Sequence, residues 1–173
     1  MTALGAPGDY AVWASWLDAF GRGEDLPDIH LTPVDERMGP HMQERLLRRV
    51  VAAFEARAQR WSDTLGRHLA SGAVGRPAEL AAALVAARGR LRPLHRLAAD
   101  PRLPDAVRTS LAGALAQLLN STQDSLERSA RDHPATAQQL LSIVRANTLL
   151  AGHPVPSRPA GQALPPVGRR VIL

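Results

Sequence analysis

From Leu47 to His68 the chain sets Leu47, Val51, Phe54, Ala58, Trp61, Leu65 and His68 at alternating steps of four and three residues. Steps of that size place side chains on one stripe of an α-helix, and a stripe kept over several turns has to be covered by another helix. The spacing predicts one long helix from Pro40 to the loop SGAVGRP, with His68 at the edge of its seam. A second helix is expected from Pro77, with Leu80, Leu84, Ala87, Leu91, Leu94 and Ala98 inward and a kink at Gly89 and Pro93. A third starts near Pro104, carrying Val107, Leu111, Leu115, Leu118, Thr122 and Leu126, and a fourth near Pro134, running through Leu140, Leu141, Val144 and Thr148 to Gly152. Proline is well placed in a first helical turn, where its missing N–H is no loss.

Composition points the same way. Of 78 hydrophobic residues 55 are Ala or Leu and only 14 are Ile or Val, which favours helix over strand, and no stretch alternates with period two. Short connections between long helices make neighbours antiparallel. The expected fold is therefore all-α: an up-down antiparallel bundle of four main helices plus a short N-terminal amphipathic helix. Residues 1–40 form an acidic N-terminal segment, 41–152 the bundle, and 153–173 a tail.

The segment YAVWASWLDAF, residues 10–20, holds four of the six aromatic side chains. Asp9 reads as its N-cap and Gly21 as its stop, and Trp13, Trp16, Leu17 and Phe20 share one face. Helices built from Ala and Leu leave gaps that small side chains do not fill. The aromatic face is expected to close such a gap as a staple near Phe54 and Trp61, in its own chain or a neighbour's, helped by attraction between acids and arginines. A membrane foot is disfavoured by Asp9, Asp18, Glu24, Asp25 and Asp28 around that face. Residues 21–40 make a connection long enough to wrap over something. Thr32-Pro33 with Asp35 and Glu36 offers a single turn ended by Gly39-Pro40.

The tail HPVPSRPAGQALPPVGRRVIL has five prolines and cannot build a core, so it reads as a flexible, extended segment. Its last residues, Arg169, Arg170, Val171, Ile172 and Leu173, have the layout of a short docking peptide for a protein partner.

The net charge of +5 is unevenly spread. Residues 1–40 carry seven acids against two arginines, and the excess of arginine lies beyond them. All 21 basic residues are arginine, which fits a GC-rich, bacterial coding bias. Arg45, Arg49, Arg60 and Arg67 lie opposite the long seam, and Arg88, Arg92 and Arg96 form an i, i+4, i+8 ladder on the next helix. They are expected to be solvated, with phosphate or an acidic partner as the alternative contact. With no cysteine, neither disulfides nor thiolate metal sites are available. The N-terminus has no basic start followed by an apolar run, so a cytoplasmic protein is expected.

Catalytic signatures are sparse. The six histidines include no i, i+4 pair, and no GxSxG, P-loop, GxGxxG or HExxH occurs. No metal site, cofactor or catalytic residue is assigned. Arg90-Leu91-Arg92-Pro93-Leu94-His95 is similar to the Arg-x4-His pattern of the HEPN ribonucleases, a helical-bundle family, and that resemblance implies action of Arg90 and His95 on RNA phosphate. So short a pattern also arises from composition alone: Arg128 with His133 has the same spacing, and Arg88 with His95 has the related x6 spacing. The leading expectation is a non-catalytic adaptor, regulatory or assembly protein that self-associates and docks a protein partner. A nucleic-acid-associated regulator comes second and a ribonuclease third.

Overall fold

A computed structural model describes residues 7–24, 26, 30–35, 38–70, 76–133, 136–147 and 149. They form five helices: α1 (Pro7–Arg22), α2 (Pro40–Ala70), α3 (Pro77–Ala98), α4 (Asp105–Arg131) and α5 (Ala137–Ala146). Among the described residues there is no strand, and no helix is long and apolar enough to cross a membrane.

The bundle is assembled around α3, which packs against α2, α4 and α5. Its seam holds as the spacing predicts: Leu80, Leu84, Ala87, Leu91, Leu94 and Ala98 are buried, joined by Leu97. The helix is continuous through Gly89 and Pro93. Trp61 donates its indole N–H to the Ala87 carbonyl at 2.9 Å, and Leu65 and Arg60 of α2 border Ala83 and Pro93 of α3 respectively, so α2 and α3 run antiparallel.

Two other seams have the predicted period but a shifted register. On α2 the deep residues are Leu46, Val50, Phe54, Trp61 and Leu65, whereas Leu47, Val51 and Ala58 are half-buried and His68 is exposed. The first half of α2 is turned toward α1, which a seam drawn toward α3 alone does not anticipate. On α4 the buried row is Leu111, Leu115, Leu119, Gln123, Leu126 and Ala130, while Val107, Leu118 and Thr122 are half-buried. Steps of four drift around the helix relative to a heptad, and α4 must serve α3 and α5 together. Gln123 sits in this core row because its amide oxygen accepts the Leu149 N–H at 3.3 Å. Helix α5 starts at Ala137, after Pro134, and its buried residues are Leu140 and Val144.

The N-terminal helix belongs to the same core. Trp13, Leu17 and Phe20 are 0–1% exposed and share one cluster with Phe54 and Trp61, while Trp16 is half-buried. Trp16 lies edge-on to Trp13 at 6.0 Å and stacks on Phe20 at 5.3 Å. Thus the staple fills a groove of its own chain. Asp9 lies in the first turn of α1, inside the helix, and the helix passes Gly21 to end at Arg22, followed by Gly23, whose φ of 81° suits a residue without a Cβ.

Against the alternation of the bundle, α1 runs parallel to α2. Tyr10 meets Arg45, Asp18 meets Arg49, Phe20 meets Arg57 and Gly21 meets Arg60, so the numbers rise together. The connection to Pro40 has to travel back along α1, which is why it is long. On the way Leu31, Val34 and Met38 are buried, a single turn closes from the Met38 N–H to the Asp35 carbonyl, and Gly39 with φ 71° redirects the chain into α2. This strap is tied on both sides: Trp13 donates its indole N–H to the Thr32 carbonyl at 2.9 Å, and the Val34 N–H bonds the Arg102 carbonyl at 2.9 Å.

The turn between α3 and α4 that receives the strap is organised by Asp100. Its side chain is 8% exposed and accepts from the Arg102 backbone N–H at 2.9 Å and from the Arg102 guanidinium at 2.8 and 2.5 Å. Burial alone would raise the Asp100 pKa, but the Arg102 hydrogen bonds, with the charges of Arg102 and Arg108, outweigh it and hold the carboxyl below its ordinary 3.8. A carboxyl depressed in the folded state stabilises above its unfolded value and loses that contribution as pH falls through the folded one. The stability gap between wild type and Asp100→Asn should therefore be full above pH 3.8 and shrink below it, as read by urea unfolding across pH. Trp13→Ala should lower stability by about 3–5 kcal/mol at neutral pH, the range for deleting a buried aromatic, and Trp16→Ala by distinctly less.

Candidate functional site

The arginines expected to form open rows are divided by α1. Arg49 holds Asp18 through two bonds of 2.7 and 2.8 Å, and Arg45 lies 5.5 Å from the centroid of the Tyr10 ring. At the other end of α1 the Phe20 carbonyl accepts from the Gly23 N–H at 3.0 Å, and α2 adds side-chain donors to the last carbonyls. Arg57 donates to the Phe20 carbonyl at 3.0 Å while lying 4.7 Å over the Phe20 ring, and Arg60 donates to the Gly21 carbonyl at 3.0 Å. Two guanidinium groups at a helix C-terminus complement its partial negative charge as well as its terminal acceptors. Arg45 and Arg49 therefore face α1 and Arg60 reaches its end, so the solvated row expected on α2 is in part covered. Arg57 was not among the sequence candidates. Its position beside Arg60 at i, i+3 was the available signal.

Past the end of α1 the surface shared by α2 and α3 opens into a cleft of about 650 Å³. Five arginines line it: Arg22 beside the α1 terminus, Arg57, Arg60 and Arg67 on α2, and Arg90 on α3. Asp63 is the one acid in the lining, and it accepts a 2.7 Å bond from Gln59. Arg22 is paired with Glu24 at 2.5 Å. Arg67 makes only long bonds on its own helix, 3.4 Å to the Asp63 carbonyl and 3.3 Å to the Thr64 hydroxyl. The ladder of Arg88, Arg92 and Arg96 lies outside this lining, with Arg92 and Arg96 exposed and Arg88 half-buried.

A second depression, of about 240 Å³, lies between α2 and α4, which touch each other only briefly. Its walls are Phe54, Glu55, Ala58, Gln59 and Ser62 on one side and Ala114 and Leu118 on the other. The half-buried parts of the two predicted seams, Ala58 on α2 and Leu118 on α4, thus meet at one groove.

The remaining sequence candidates separate. Arg90 lines the cleft and His95 does not, and five residues of α-helix place them about 140° apart around the axis. Partial desolvation lowers the His95 pKa from its ordinary 6.5, which favours the neutral ring. Among the described residues no group of three His, Asp or Glu is placed to hold a metal ion. Arg169, Arg170, Val171, Ile172 and Leu173 lie outside the described residues.

Because the Asp18–Arg49 pair is largely exposed, Arg49→Gln should lower stability by only about 0.5 kcal/mol, and the loss should shrink as salt is raised in parallel denaturation series. Comparison of the chain with known protein families, curated proteins and solved structures finds no match.

Proposed function

We propose that the protein is a non-catalytic helical-bundle adaptor or assembly protein, which self-associates through the groove between α2 and α4 and in that form docks a protein partner. The observation that carries the reading is the incomplete covering of two heptad-spaced rows. Leu47, Val51 and Ala58 continue the α2 seam, and Val107 and Leu118 continue that of α4, yet the chain's own packing leaves all five half-buried. Rows of this spacing are complementary to another helix, and a second copy presents the same rows, so one surface can satisfy itself about a two-fold axis.

A nucleic-acid role has less support, because α1 takes up the first arginines of α2 and the chain offers no exposed aromatic face beside the remaining rows. Localisation to the cytoplasm and a contribution of the C-terminal Arg169–Leu173 segment to partner docking belong to the same proposal.

Sedimentation velocity across a concentration series tests the assembly. The wild type should show a dimer or higher species at micromolar concentration. Ala58→Glu and Leu118→Glu should shift it to monomer with unchanged helical circular dichroism. A wild type that stays monomeric throughout, or variants that associate as before, would remove the groove from consideration.

A further inference from the structure

The arginine-lined cleft beyond the end of α1 shares no lining residue with the α2–α4 groove, and its chemistry is of another kind. We propose that it binds a small, multiply charged phosphate ligand.

Charge is the first observation. Five guanidinium groups and one aspartate line the cleft among the described residues; Arg22 is held by Glu24, whereas Arg60, Arg67 and Arg90 pair with no carboxylate among the described residues. Elsewhere Arg49, Arg102 and Arg108 each hold one. Arginines gathered in one concavity repel each other, and a polyanion entering it relieves that repulsion.

The second observation is presentation. The bond from Arg60 Nε to the Gly21 carbonyl fixes the plane of its guanidinium and leaves the two terminal nitrogens as donors. A planar fork held in this way is matched to two oxygens of a phosphate, which accept in parallel. The end of α1 therefore positions the cleft as well as bounding it.

Space is the third. A volume of about 650 Å³ falls in the range of small-ligand sites. On the α3 wall Gly89 weakens its helix relative to alanine, and packing does not require it, since a Cβ there would meet nothing within 4 Å. Its effect is to leave room beside Arg90.

These features favour a compact polyphosphate over a nucleic-acid strand or an acidic peptide. Trp61 is the only aromatic residue in the lining, and it is 4% exposed with its indole N–H committed to Ala87, so no ring is offered for base stacking. A peptide carboxylate brings one charge per side chain, whereas a short polyphosphate concentrates several within the reach of these forks.

Calorimetric titration of the full chain with inorganic tripolyphosphate at low salt is the test. Saturable binding at one site per chain is expected, with a rise in melting temperature. Arg67→Gln and Arg90→Gln should each weaken binding about tenfold, the effect of losing a charge-assisted bond. Gly89→Leu should weaken it by obstruction with the charge unchanged. Arg92→Gln, on the same helix outside the cleft, should bind as wild type does. Absence of saturable binding at millimolar tripolyphosphate would overturn the proposal. So would an equal loss in Arg92→Gln, or tighter binding of a single-stranded oligonucleotide or a polyglutamate peptide than of tripolyphosphate.

Discussion

The fold turns on the position of one indole ring. Trp13 is fully buried, donates to the Thr32 carbonyl of the strap, lies edge-on to Trp16, and has the Arg102 guanidinium 5.7 Å from its centroid. Three chain segments distant in sequence meet there: α1, the strap, and the turn from α3 to α4. Each is weak alone. A helix of 16 residues is marginal in water, the described residues of the strap have a single turn as their own main-chain structure, and the Asp100 turn buries a carboxylate. The ring supplies apolar area to the first, a donor to the second and a face for the cation of the third, so the three order one another.

Arginine does different work at different places on this surface. Where α1 covers α2, arginines are structural: Arg49 clasps Asp18, and Arg57 and Arg60 donate to the last carbonyls of α1. Where α1 stops, the same helix carries Arg67 toward Arg90 with little to hold. Carbonyl partners leave a guanidinium's charge in place, while carboxylate partners cancel it. At the cleft Arg60 and Arg67 keep theirs for this reason even though both have hydrogen bonds.

The fold class, the helix starts at Pro40 and Pro77 and the complete α3 seam were legible in the sequence, because proline position and a heptad row depend on local geometry alone. Register on α2 and α4 was less so. Leu46 and Leu47 are equally apolar, as are Leu118 and Leu119, and which of each pair turns inward depends on where α1 and α5 dock, information that lies elsewhere in the chain. The parallel course of α1 was not legible either. The cleft was seen only in part: Arg60 and Arg67 stood out as a row, Arg57 lies beside Arg60 on the same helix, and Arg22 and Arg90 join them through tertiary contact. The tail residues expected to dock a partner lie outside the described residues.

The parallel packing of α1 makes topology a function of loop length. A helix of 16 residues measures about 24 Å along its axis, and the chain must retrace that distance before entering α2. The 17 residues from Gly23 to Gly39 cover it easily. A connection of four or five residues could not, and would allow only an antiparallel hairpin of α1 and α2. Reversed in this way, α1 would present its N-terminal amides, with their partial positive charge, to Arg57 and Arg60. The chain therefore keeps its charge arrangement through the length of this segment.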